Sequence, residues 1–318
     1  MILTCLLPII FVLLMFLSQR KDNTARDYSF MSRPYTDILR AIAILLIIIH
    51  HASLDAGERV FTPLGGIGVA IFLILSGYGI TVSYMKSGLA HYWRKKVARI
   101  WLPYVLLLLT VTLLKGNYSR MLSPEFILDL LCLRTSYWFI SFLVYNYILF
   151  YISHRIDALR KYKYVPFVVF AVVTFFVCGG VEAEQCFSFV TGVWIAYNME
   201  TAKKMLLNWH TFTALLLTSV VFLGFKQVPQ VRGAIECSHV LATSVDILIK
   251  YTFALFTISI FTPPIHRILI INDLSLQQET SWQAAHYLRS ARRRRWSCIL
   301  CTSAYGSSST KTGRLSAS

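Results

Sequence analysis

Apolar residues gather in nine runs along the chain, at about 1–17, 36–53, 63–85, 100–114, 137–153, 164–180, 185–198, 207–225 and 240–262. A helix needs about 20 apolar residues to cross a hydrocarbon core of about 30 Å. The pattern therefore predicts an all-α, polytopic bundle of about nine transmembrane spans. Several runs are short for that thickness, which implies local thinning of the bilayer or snorkelling of flanking side chains. The first run, Met1 to Leu17, has no basic leader and no A-x-A cleavage site. Residues 1–18 are expected to form a retained additional span with the N-terminus outside.

Between the runs the polar residues are mostly cationic. Alternate loops hold Arg20, Lys21, Arg26 and Arg33; Lys86, Arg94, Lys95, Lys96 and Arg99; Arg155, Arg160, Lys161 and Lys163; then Lys203 and Lys204, with Arg267 after the ninth run. The intervening loops carry only Arg59, Lys115, Arg120, Arg134, Lys226 and Arg232. Basic loops stay on the cytoplasmic side, so the alternation orients every run. Only 14% of the 318 residues are charged and 56% are hydrophobic, far from the about 25% charged of a soluble domain. The net charge of +16 is thus explained by topology, and no nucleic-acid partner is implied.

One run departs from a passive span. Asp37 to Asp55 reads DILRAIAILLIIIHHASLD, with Arg40 at one end and His50 and His51 at the other. Ionisable groups within a span are costly and mark functional sites. Arg40 and His51 are eleven residues apart, about three turns, so they project from nearly one face about 16 Å apart. Asp37 lies one turn before Arg40 and can pair with it; Asp55 lies one turn beyond His51. His50, about 100° round the helix, is expected to face neighbouring helices or headgroups. Loop charges place Arg40 near the inner face and the histidines near the outer one. Imidazole titrates near the operating pH, which makes His51 the candidate general base, with Asp55 a candidate to orient it.

Three stretches, taken in order and spacing, resemble the acyltransferase-3 family of polytopic membrane enzymes that O-acylate bacterial glycans. They are Arg40-x10-His51; the run from Gly65 to Tyr78 (GGIGVAIFLILSGY); and Lys95 to Tyr104 (KKVARIWLPY). Tyr137-Trp138-Phe139-Ile140 matches a further recurring start. The resemblance covers about 33–265, and 33–272 is expected to be the acyltransferase-3-like transmembrane domain. It implies an acyl group, commonly acetyl, carried from cytoplasmic acyl-CoA to a sugar hydroxyl at or beyond the outer face of the bacterial cytoplasmic membrane. Acetyl-CoA or another acyl-CoA is then the donor, with no metal, and a glycan is the acceptor. Lys96 and Arg99 become candidates for the donor phosphates, and Arg40 for guiding the pantetheine arm or polarising the thioester. Lys96 stands where the family usually has arginine, which keeps the charge and loses the bidentate fork. A Ser-Tyr-x-x-Tyr-Leu-x-His stretch, expected just after Ile270-Ile271, is missing, which reads as a frame shift or truncation near 272.

The remaining polar groups have plainer readings. Ser76 shares a face with Gly68 and Phe72 and reads as close helix packing. Asp246 and Lys250 read as a self-neutralising pair, and Glu182 and Glu184 as solvated loop charges. Cys178 and Cys186 flank one turn, as a disulfide or as two thiols. Residues 273–318 form a basic, Ser-rich tail expected to be disordered; Cys298-x-x-Cys301 within it lacks the second pair a metal site needs. Two competitors to the enzyme reading are a transporter or flippase of a glycan precursor and an inactive acyltransferase relic. A transporter would be expected to show an internal repeat, and the chain shows none.

Overall fold

A computed structural model describes residues 29–57, 61–116, 118–133 and 137–260. The expected span at 1–18 and the tail from 273 lie outside these residues, as does the region of the missing motif. Among the described residues every regular element is a helix. Helix α1 is Arg33–Asp55, α2 Thr62–Ser87, α3 Tyr92–Leu114, α4 Pro124–Leu130, α5 Trp138–Arg155, α6 Val165–Val177, α7 Cys186–Tyr197, α8 Met199–Leu206, α9 Trp209–Gln227, α10 Pro229–Glu236 and α11 His239–Ile260.

Local chemistry sets the ends that matter for the site. Ser32 caps α1, its hydroxyl accepting from the Tyr35 N–H at 3.5 Å, with Pro34 in the first turn. Proline is tolerated there because that N–H has no partner within the helix. Gly88, at φ +55°, stops α2; only glycine takes that conformation without strain. Within α3, residues Val97–Trp101 widen into a π-turn, and the Leu102 N–H reaches back to the Val97 carbonyl. Pro103 follows. It lacks an N–H for the Arg99 carbonyl and its ring crowds that carbonyl, a local cause for the widening. Such turns frequently sit at functional sites, and this one carries Arg99.

All eight expected runs within the described residues are helical. Five helices, α1, α2, α3, α9 and α11, are long and apolar enough to cross a membrane. The other three fall short. Helix α6 has 13 residues and α7 has 12, so α7 rises only about 18 Å. Gly180–Glu184 forms its own short helix between the 164–180 and 185–198 runs. Helix α5 is 18 residues long but includes Asn146 and His154, both buried.

Helix α2 is the axis of the bundle, packing against α1, α7 and α11. One core cluster joins Leu39 and Ala43 of α1, Ile71 and Ile74 of α2, and Ala254 and Ile258 of α11. A second joins Leu73 of α2 to Phe150 of α5, Phe167 of α6 and Phe189 of α7. Helices α2 and α7 touch through glycine: a Cβ at Gly77 would overlap the Phe189 carbonyl, and one at Gly192 the Ile74 carbonyl. Missing side chains let the two backbones approach. The apolar residues of α1 and α9 mostly face outward, as suits contact with lipid rather than water.

Candidate functional site

Helices α1 and α2 run antiparallel. Gly65 lies against the His50 ring, Gly68 against the Ala43 carbonyl, and the Tyr78 hydroxyl donates to the Met31 carbonyl at 3.1 Å. At the Met31 end, where α3 begins, they enclose a cavity of about 840 Å³. Six cations line it: Arg33, Arg40, Lys86, Lys95, Lys96 and Arg99. Asp37 is the sole carboxylate among the lining residues. So dense a positive field selects polyanionic ligands, and in a half-closed site it is poorly screened.

The expected Asp37–Arg40 pair is present, Nη1 to Oδ1 at 2.5 Å, and the same nitrogen donates to Thr36 Oγ1 at 3.4 Å. The pair aims the guanidinium while leaving most of its donors for a ligand. Lys96 lies with Nζ 4.2 Å from the centroid of the Tyr147 ring and 5.6 Å from that of Tyr92. The ring faces hold the ammonium, so Lys96 is fixed at the wall. The Tyr92 hydroxyl in turn donates to the Tyr147 carbonyl at 2.7 Å, tying α3 to α5. Arg99 is exposed on the π-turn and faces the same cavity. Ser76, read from the sequence as packing, also lines the cavity, as does Tyr147.

Arg40, Lys96 and Arg99 are therefore brought together. His51 and Asp55 are not among the cavity's lining residues; both are exposed on the last turns of α1. The His51 ring lies 4.9 Å from that of His50. His50 points into the α1–α2 seam as expected, and its buried Nδ1 has no hydrogen-bond partner. Between this end and the cavity floor the seam is closed by Ala43, Ile67, Ala70 and Ile71, each at most 3% exposed.

A second polar group sits at the histidine end. Lys250 of α11 bonds the Glu184 carboxylate and stands 3.8 Å from Asp246, which Lys226 of α9 contacts at 2.5 Å. Glu184 is thus no solvated loop charge: its side chain is 13% exposed. Burial pushes its carboxyl up, against the downward pull of Lys250. The Asp246–Lys250 pair exists, but as the middle of a four-membered network rather than alone. Gln185 donates to the Gly66 carbonyl at 3.0 Å, fastening this corner to α2. Cys178 and Cys186 are both free thiols, the first exposed and the second buried.

Sequence reading missed Tyr92, Tyr147 and Glu184. Tyr92 borders the basic motif and had a signal in its position. Tyr147 had none, because α5 holds several tyrosines and only packing selects one.

Five helices long and apolar enough to cross a membrane, with a cationic cavity beside a basic helix start, make this the architecture of a multi-pass membrane protein. The acyltransferase-3 family model, described as an acyltransferase domain, matches residues 33–277. The chain belongs to that family, and as a class it is a membrane acyltransferase. No curated protein and no solved structure matches it.

Proposed function

We propose that the chain is an integral-membrane O-acyltransferase of the bacterial cytoplasmic membrane. It moves an acyl group, acetyl in the first instance, from cytoplasmic acyl-CoA to a hydroxyl of a cell-surface glycan or its precursor. The observation that carries this reading is the cavity with six cations and one carboxylate at the end of α1 that the basic loops assign to the cytoplasm. Phosphates of the donor fit Lys86, Lys95 and Arg99 near the mouth. Arg40 and Lys96, deeper in, suit the thioester carbonyl, where a cation stabilises developing negative charge. On this reading His51 takes the proton of the acceptor hydroxyl from the opposite side, oriented by Asp55.

Label transfer from acetyl-CoA to glycan in membranes tests the assignment. His51→Ala is expected to lower transfer by about 10²–10⁴-fold, the usual cost of losing a general base. Unchanged acylation in that variant removes His51 from the mechanism, and glycan movement without acylation supports a transporter instead. The donor site has a separate signature. The triple change Lys86→Ala, Lys95→Ala, Arg99→Ala is expected to raise KM for acetyl-CoA while leaving kcat nearly unchanged, since these contacts bind donor and transition state alike. The salt dependence of KM should flatten with it.

A further inference from the structure

Among the described residues, Lys96 is the only one of the six cavity cations seated on ring faces. The seat is rigid. Tyr92 and Tyr147 are 8% and 6% exposed. The Tyr92 ring stacks on Phe150, with 6.3 Å between centroids and 5° between planes. The Tyr147 ring meets Phe189 of α7 edge-on at 6.0 Å. The hydrogen bond from the Tyr92 hydroxyl to the Tyr147 carbonyl locks the two together. The neighbours of Lys96 stand differently: Lys95 Nζ reaches Ser87 Oγ at 3.5 Å, and Arg99 is exposed. A lysine ammonium rides on a flexible stem, and a polyanion bound at Lys95 and Arg99 pulls every nearby cation toward itself. A carboxylate could hold Lys96 back, but it would cancel the charge it held. Ring faces attract the ammonium through their quadrupole and leave its charge whole. Asp37, the carboxylate of the cavity, is bonded to Arg40 instead.

Resting on the acyl-CoA reading above, we infer that Tyr147 and Tyr92 are positioning residues for acyl transfer. Their ring faces keep Lys96 deep in the cavity, at the thioester carbonyl, against the pull of the donor phosphates. They act through Lys96 rather than on the substrate. The cations of the cavity then divide their work. Lys86, Lys95 and Arg99 bind the donor, while Lys96 meets the charge that develops on the carbonyl oxygen in the transition state. Without the Tyr147 face, Lys96 swings toward the phosphates. The donor then binds as tightly as before or more so, and the chemical step slows. A cavity that has merely lost its shape weakens both.

Label transfer to glycan in membranes, with acetyl-CoA varied, reads kcat and KM separately. Tyr147→Leu is expected to lower kcat about 10-fold, the scale of one desolvated ring face, with KM for acetyl-CoA unchanged or lower. Tyr147→Phe keeps the face and should keep the wild-type kcat. Fluorine atoms placed on that phenylalanine ring withdraw negative charge from its face at little cost in size. Transfer should therefore slow with each fluorine added, a series that decides the matter even if the leucine variant does not fold. In Lys96→Met the ring has no ammonium to hold, so adding Tyr147→Leu should lower kcat no further. Four results each overturn the seat while the proposed function stands: wild-type kcat in Tyr147→Leu, a raised KM in that variant, a fluorine series without slope, or losses that multiply in the double variant. Wild-type membranes that transfer no label from acetyl-CoA overturn both.

Discussion

Gly192→Ala is expected to destabilise the bundle more than any other single methyl addition among its glycines. The added carbon would fall on the Ile74 carbonyl and press the Tyr78 N–H, at 2.7 Å from its nitrogen. Both are backbone atoms of the central helix, so no side chain can rotate away. Either α7 shifts off α2 or the α2 hydrogen-bond ladder distorts. Overpacking costs about 1–3 kcal/mol where side chains can yield, so the cost here sits at or above the top of that range. For a chain of this size, about 3 kcal/mol lowers the melting temperature by about 4–5 °C. Gly79→Ala on the same helix is the control, because nothing lies within 4 Å of the added carbon; its effect should stay within about 0.5 kcal/mol. Thermal melts of both variants in one detergent decide the matter, and equal melting temperatures would show that α2 and α7 do not cross as described.

Lys250→Met is the second large effect. It removes the cation that Glu184 bonds and leaves that carboxylate 13% exposed among α2, α7 and α11. Breaking a buried pair by removing one partner costs about 3–5 kcal/mol, whereas replacing both by neutral groups is often nearly free. Asp246 keeps Lys226, so the loss falls on Glu184. The double variant Lys250→Met/Glu184→Gln should therefore recover most of the lost stability. A double variant as unstable as the single one would mean that Lys250 acts through its aliphatic stem along Gly66 rather than through its charge. The cycle reads out as melting temperature, with acyl transfer as a second measure of the histidine end.

Much of the fold was legible because its signal is local. Apolar runs gave the helices, and the i, i+3 spacing of Asp37 and Arg40 gave their ion pair. The basic motif placed Lys96 and Arg99 beside the helix that lines the cavity. What the sequence could not encode locally is which distant segments meet. Glu184 and Lys250 are 66 residues apart, and nothing near Glu184 distinguishes a solvated carboxylate from a paired one. Ser76 read as packing because its helical face also carries Gly68 and Phe72; the cavity exists there only because Tyr147 arrives from α5 and Lys96 from α3. The runs at 164–180 and 185–198 fold into helices of 13 and 12 residues, because run length alone does not fix where a helix begins and ends. The role of His51 rests on its motif, since the structure sets it on the far side of a closed seam from the residues expected to meet the donor.

That seam has an electrical consequence. On the proposed function, an enzyme that takes a charged donor from one side of the membrane and serves an acceptor on the other must not short-circuit the membrane potential. A water-filled path from the cavity to the histidines would conduct protons, since imidazoles and hydroxyls would line both ends. About 10 Å of apolar packing between Phe72 and Gly65 is an insulator of the kind a permeation barrier needs. Widening it, for instance with Ile71→Ala, should make proteoliposomes leak protons before the bundle unfolds.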